Sequence, residues 1–164
     1  YTNSRDIDLL EIDSAAEDMT PNILNNPLDS DSENYHQLLK GVRVLLAEDI
    51  EINQMIAVEM LSGAGASVSV ANNGLEVQAI LKQEKVFDVI LMDIQMPEMD
   101  GYEATKLIRK SSLYQHIPII AITANAMSTD IEQCMAVGMN AHISKPIDEN
   151  DMIHKILSQL HNAG

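Results

Sequence analysis

The sequence predicts an α/β chain built on a doubly wound, five-stranded parallel sheet of order 2-1-3-4-5. Three observations predict it. From residue 41 onward, five short apolar runs alternate with five stretches of helical spacing, the pattern of repeated β-α units joined by right-handed crossovers. Three runs, Val44 to Ala47, Val89 to Met92 and Ile119 to Ile122, are apolar without alternation, as strands covered on both faces must be. These same runs exit into polar residues: Glu48-Asp49, Asp93 and Thr123.

In chain order, the first strand covers Val42 to Ala47, and Ile52, Met55, Ile56, Glu59 and Met60 mark a helix ending at Gly63. Ser67 to Ala71 is the second strand, followed by a helix through Leu75, Ala79 and Ile80. Val89 to Met92 is the third, with a helix through Tyr102, Leu107 and Ile108. Ile117 to Ile122 is the fourth, with a helix through Ile131 and Met135 ending at Gly138. Ala141 to Ile143 is the fifth, before a helix through Ile153, Ile156, Leu157 and Leu160. Gly63 and Gly138 stand where left-handed caps are expected, and Ser128 and Asp148 where N-caps are.

Composition narrows the function classes. With 10 Lys plus Arg against 25 Asp plus Glu, the formal net charge of -15 opposes binding a nucleic-acid polyanion, which draws its affinity from basic side chains. The apolar runs fall well short of the roughly 20 residues a membrane span needs. The one cysteine, Cys134, excludes an intrachain disulfide framework and a multi-cysteine zinc site, so a cytoplasmic location is expected. Residues 1 to 40 hold nine acids against Arg5 and Lys40, with Pro21, Pro27 and an Asp29-Ser30-Asp31-Ser32 run, the composition of an acidic linker. Within it, Ile7 to Ile12 and the run from Ser32 through Tyr35, Leu38 and Leu39 to Gly41 carry signals for short packed or helical pieces. A Tyr start without a signal peptide leads to the expectation of a segment from a longer chain.

Ligands of doubly wound sheets sit beyond the carboxyl ends of the strands, where strand order reverses. In the order 2-1-3-4-5 this crevice gathers Glu48, Asp49, Asp93, Thr123 and Lys145. Clustered carboxylates raise one another's pKa unless a cation compensates, and an oxygen-only ligand set selects a hard divalent ion such as Mg²⁺. Lys145 offers a charge to a phosphate oxygen and Thr123 a hydroxyl, so the crevice reads as a phosphoryl site with Asp93 as the covalent acceptor. Two other classes compete with this reading. An aspartyl-phosphate phosphohydrolase of the dehalogenase-like type wants a second Asp where Gln95 stands, and a nucleotide-binding domain of the same architecture wants a Gly-rich phosphate loop, which follows no strand here.

Leu45-Leu46-Ala47-Glu48-Asp49, Asn53-Gln54, Asn73-Gly74, the run Asp88 to Gly101, Pro118 to Ala124 and Lys145-Pro146 together resemble the receiver domain of two-component response regulators, over about residues 41 to 162. The wording is most similar to the C-terminal receivers of hybrid sensor histidine kinases. The resemblance implies a flavodoxin-like receiver fold in which Asp93 takes a phosphoryl group from phosphohistidine, in a two-component system or phosphorelay. It implies Mg²⁺-dependent self-phosphorylation and autodephosphorylation, with the ion held by Glu48, Asp49, Asp93 and the carbonyl of Gln95. Lys145 pairs with the phosphate across a cis bond to Pro146, Thr123 is the switch hydroxyl, and His142 occupies the position of an aromatic switch residue. The expected partner is a kinase dimerisation domain or a histidine phosphotransfer protein, docking near Ile52, Met55 and Ile56, part of whose apolar surface is expected to stay exposed. A stand-alone response regulator acting through protein contacts is the alternative, and a degenerate receiver is opposed by all five polar positions being filled.

Overall fold

A computed structural model of the chain describes residues 37–84 and 86–163. The linker expected over residues 1–40 therefore lies outside the described residues except at its end, where Leu39 is fully buried and its N–H donates to the Ala64 carbonyl at 2.9 Å. Leu38 to Gly164 form one compact unit.

Five parallel strands, β1 (Arg43–Ala47), β2 (Ser67–Ala71), β3 (Val89–Asp93), β4 (Ile119–Thr123) and β5 (Ala141–Ser144), pair in the order β2-β1-β3-β4-β5. Between and after them run α1 (Glu51–Gly63), α2 (Gly74–Glu84), α3 (Gly101–Lys110), α4 (Ser128–Val137) and α5 (Glu149–Ala163). The three non-alternating runs are the three central strands. Every residue of β3 and β4 is buried, whereas β2 and β5, at the edges, keep partly exposed positions. Strand alternation divides the core into two layers. Leu45, Ala47, Ile90, Met92, Ile119 and Ala121 cluster with Val77 and Leu81 of α2, Ala104 and Ile108 of α3, and Cys134 of α4. The buried Ala57 and Leu61 of α1 and Met152, Ile153 and Ile156 of α5 lie outside that cluster and cover the other face.

Two capping expectations need correction. Gly63 is the last residue of α1; the helix closes at Ala64 in right-handed geometry, and the left-handed residue is Gly65, at φ 99°. Ser128 is already inside α4, preceded by Met127, which offers no side-chain cap. Gly138 does close α4 at φ 109°, and Asp148 caps α5 through its Oδ1, which accepts from the Asp151 N–H at 2.9 Å. At the end of the sheet away from the strand exits, Arg109 donates to the carbonyls of Gly138, Gln115 and Ile117 and to Asn140 Oδ1, all at 2.8 Å. These bonds satisfy loop carbonyls that the sheet cannot reach.

Thr105 of α3 is completely buried and its hydroxyl has no hydrogen-bond partner among the described residues. Burying an unpaired hydroxyl costs free energy that an isosteric methyl does not. Thr105→Val is expected to raise stability by roughly 0.5–1 kcal/mol. A denaturation midpoint that falls instead would mean that the hydroxyl is paired in solution.

Candidate functional site

The sheet register aligns the strand exits. Asp93 pairs with Ile122 and Thr123 with Ser144, while the N–H of Glu48 extends β1 by donating to the Ala71 carbonyl at 3.0 Å. Each polar residue read from the strand ends thus arrives at one edge. Carboxylate oxygens of Glu48, Asp49 and Asp93 lie within 4.8 Å of one another. Lys145, carried by the turn after β5, reaches over them: its Nζ stands 2.8 Å from Asp93 Oδ2 and 3.1 Å from Glu48 Oε1. The Lys145–Pro146 bond is cis, as the resemblance implied.

Burial and charge set the electrostatics. Asp93 is only 3% exposed, and burial together with Glu48 pushes its carboxyl up to about 6 although Lys145 pulls the other way. Glu48 is equally buried, and burial alone would raise it; the Ile50 N–H on Oε2 at 3.1 Å, with Asp93 and Lys145 beside it, brings it below the ordinary value. Asp49 is raised by partial burial and by Glu48. Lys145 is held above its ordinary value by the two carboxylates, which outweigh its own burial. Three carboxylates facing one ammonium leave a local excess of negative charge. All-oxygen donors at this spacing suit a hard divalent cation, so the residues present fit Mg²⁺.

A cleft of about 870 Å³ opens over this cluster, lined by Asp49, Asp93, Gln95, Thr123 and Lys145, and extends past Tyr102 and Asp130 toward α4. Gln95 donates its backbone N–H to Asp93 Oδ1 at 3.2 Å. The Thr123 hydroxyl does not bond any carboxylate here; it donates to the Asn125 carbonyl at 2.8 Å and accepts from the Asn125 N–H at 3.0 Å. His142 stands apart from the carboxylates, in the middle of β5, paired with Ala121. By alternation it shares a sheet face with Thr123, two residues along the neighbouring strand. Ile52, Met55 and Ile56 are 60%, 59% and 43% exposed on α1, forming an apolar patch with Ile50. Ile56 also lines a small depression with Glu48, Asn53, Lys145, Pro146 and Ile147.

Several supporting groups carry no signal in the sequence. The N–H of Ile50 and the side chain of Gln54, which donates to the Glu48 carbonyl, were not legible, since both depend on how the β1–α1 turn folds back. Tyr102 lines the cleft because α3 starts beside Asp93; burial and the neighbouring Cys134 thiol push its phenol up to about 12. Gly101 packs directly on the Asp93 backbone, where only its lack of a side chain gives room.

Comparisons with known proteins converge. A family model described as the response regulator receiver domain matches residues 44–157. Histidine kinase 1 of Arabidopsis thaliana is 40% identical over 154 residues, a match taking in 73% of this chain and 13% of that protein. Hybrid signal transduction histidine kinase B of Dictyostelium discoideum is 39% identical over 128 residues, 71% of this chain and 6% of that protein. The chain thus spans only a small part of these relatives. Among solved structures, the receiver domain of a sensor histidine kinase from Pseudomonas aeruginosa, with a magnesium ion coordinated in its active site cleft, is 34% identical with a TM-score of 0.69, over 74% of this chain and 98% of that one. The receiver domain of a Saccharomyces cerevisiae response regulator, crystallised with its histidine phosphotransfer protein, is 30% identical with a TM-score of 0.67, over 72% of this chain and 88% of that one.

Proposed function

Because the chain belongs to the response regulator receiver family, we propose that it takes a phosphoryl group from phosphohistidine onto Asp93, as one module of a hybrid histidine kinase phosphorelay. Residues 41–162 are the receiver in this reading, and residues 1–40 an acidic linker. The observation that carries it is the Lys145 ammonium 2.8 Å from a carboxylate buried at the exit of the central strand. In the transfer, an Asp93 oxygen forms the new O–P bond as the donor's P–N bond breaks, and the imidazole leaves with the electron pair. Lys145 neutralises the phosphoryl oxygens, and the Gln95 N–H on Oδ1 orients the nucleophile. Glu48, Asp49, Asp93 and the Gln95 carbonyl would hold Mg²⁺, whose bound charge supplies further neutralisation of those oxygens. The test is direct. A small acyl-phosphate donor with Mg²⁺ should add about 80 Da to the chain. Absence of that gain would overturn the assignment.

The new dianion at Asp93 competes with Asn125 for the Thr123 hydroxyl. A move of Thr123 toward it gives up both bonds to Asn125 and draws on the loop that leads into α4, with His142 as the side chain on the same face that responds. The acceptor is proposed to work in the cytoplasm; among the described residues no helix is long and apolar enough to cross a membrane.

The donor, a kinase dimerisation domain or a histidine phosphotransfer protein, is proposed to dock on Ile52, Met55 and Ile56. Its His then lies beside Asp93. Met55→Asp is expected to slow transfer from a phosphohistidine donor by about tenfold or more, the size of one buried apolar anchor. Labelling by the small acyl phosphate should be unchanged. Equal slowing of both would point to the cleft and discard this face.

A further inference from the structure

The peptide joining Glu48 to Asp49 is a rigid plane, so its orientation sets where both acidic side chains leave the backbone. On its strand side the geometry is fixed by the sheet, through the Glu48 N–H on the Ala71 carbonyl. The Glu48 carbonyl lies past the end of β1, and a side chain takes the place of the ladder: Gln54, in the second turn of α1, donates to it through Nε2. The same amide nitrogen donates to Asn72 Oδ1 at 2.7 Å, just beyond β2. Asn72 is itself held by Glu76 Oε1, 3.0 Å from Nδ2 and 3.2 Å from the backbone N. One primary amide has two N–H groups, and this one spends both. Among the described residues Asp49 makes none of the ion pairs, and its carboxylate interacts with the Glu48 carboxylate at the other end of this peptide.

We propose that Gln54 is a positioning residue for the divalent-cation site, holding the Glu48–Asp49 peptide so that both carboxylates face Asp93, with Asn72 and Glu76 holding Gln54 in turn. This rests on reading the cleft as a Mg²⁺ site. The role demands a neutral donor of this length: a shorter amide falls short of the carbonyl, and a carboxylate presents oxygen to it.

The experiment titrates Mg²⁺ into the full chain and follows the amide shifts of Asp49 and Gln95, with thermal midpoints recorded in chelator. Gln54→Met, of similar length but without a donor, should weaken Mg²⁺ binding about tenfold, the usual cost of losing a group that orients a metal ligand. Its midpoint in chelator should stay close to that of the unaltered chain. Gln54→Ala should read the same on a helix-favouring side chain. Asn72→Ala should cost less, and nothing more once Gln54→Met is present, because the two act in series. The proposal is overturned by Mg²⁺ affinity within about twofold of the parent in both Gln54 variants, by a fallen midpoint with unchanged affinity, or by an equal cost of Asn72→Ala in both backgrounds. Asp49→Asn separates the two readings. If it binds Mg²⁺ like the parent, the cation site itself is wrong and the proposal falls with it; if it alone loses the ion, only the role of Gln54 falls.

Discussion

Asp93→Asn is expected to lose phosphoryl acceptance by at least about a hundredfold while making the metal-free protein more stable at neutral pH. The first effect follows from chemistry, since a carboxamide is not the nucleophile a carboxylate is. The second follows from burial. Asp93 is 3% exposed and its carboxyl is raised from 3.8 to about 6 in the folded chain. The folded state therefore holds a proton that the unfolded state has already lost between those two values. This group's contribution to stability is full below about 3.8 and is lost as pH rises through about 6. At pH 7 the ionised carboxylate costs the fold on the order of 1–3 kcal/mol, which Asn avoids. Lys145 is not stranded by the change, because Glu48 stays 3.1 Å from its Nζ. Denaturation in chelator at pH 7 should show the variant above the parent, with the gap closing toward pH 4. Labelling at the parental rate, or a gap that widens as pH falls, would contradict the assignment.

Gly101→Ala is expected to damage both the fold and the site. A Cβ there would lie 2.3 Å from the Asp93 carbonyl oxygen, 3.0 Å from Ile94 Cα and 3.0 Å from the Met92 side chain. Two of those atoms are backbone, which no rotamer change can move aside. Gly101 also anchors the start of α3, its N–H donating to the Ile94 carbonyl at 2.9 Å. Either α3 lifts or the end of β3 shifts, and Asp93 moves with the latter. The expected loss is roughly 2–4 kcal/mol, at the upper end of overpacking costs because the obstacle is main chain. The thermal midpoint should fall by roughly 10 °C, and labelling at a temperature where the variant is folded should slow. Gly63→Ala is the matched comparison: it also lies in a helix, but among the described residues no atom beyond its chain neighbours and the adjoining helix backbone stands within 4 Å of where its Cβ would go, so no comparable loss is expected. Equal melting of the two variants would mean that the close approach at Gly101 relaxes without cost.

The strand pattern and the identity of the polar residues at the strand exits are legible in the amino-acid order. Unbroken apolar runs such as Val89 to Met92 are tolerated only where both sheet faces are covered, so the central strands announce themselves, and the residue after each one must sit at the sheet's edge. Glu48, Asp93 and Thr123 were therefore readable as neighbours although they are far apart in the chain. Tertiary structure alone decided what those neighbours do to one another. The rotation of α1 depends on its fit to the sheet: it buries Ala57 and Leu61 and turns Ile52, Met55 and Ile56 outward, a choice that helical period leaves open because the apolar stripe is wider than the contact. Helix ends behaved likewise, with Gly63 passed over and the left-handed conformation taken at Gly65. Periodicity and propensity act within a few residues, whereas the bonds from Gln54 to Glu48 and Asn72, the seat of Gly101 on Asp93 and the raised carboxyl of Asp93 arise between separate elements. Their distances exist only once the sheet has brought those elements together.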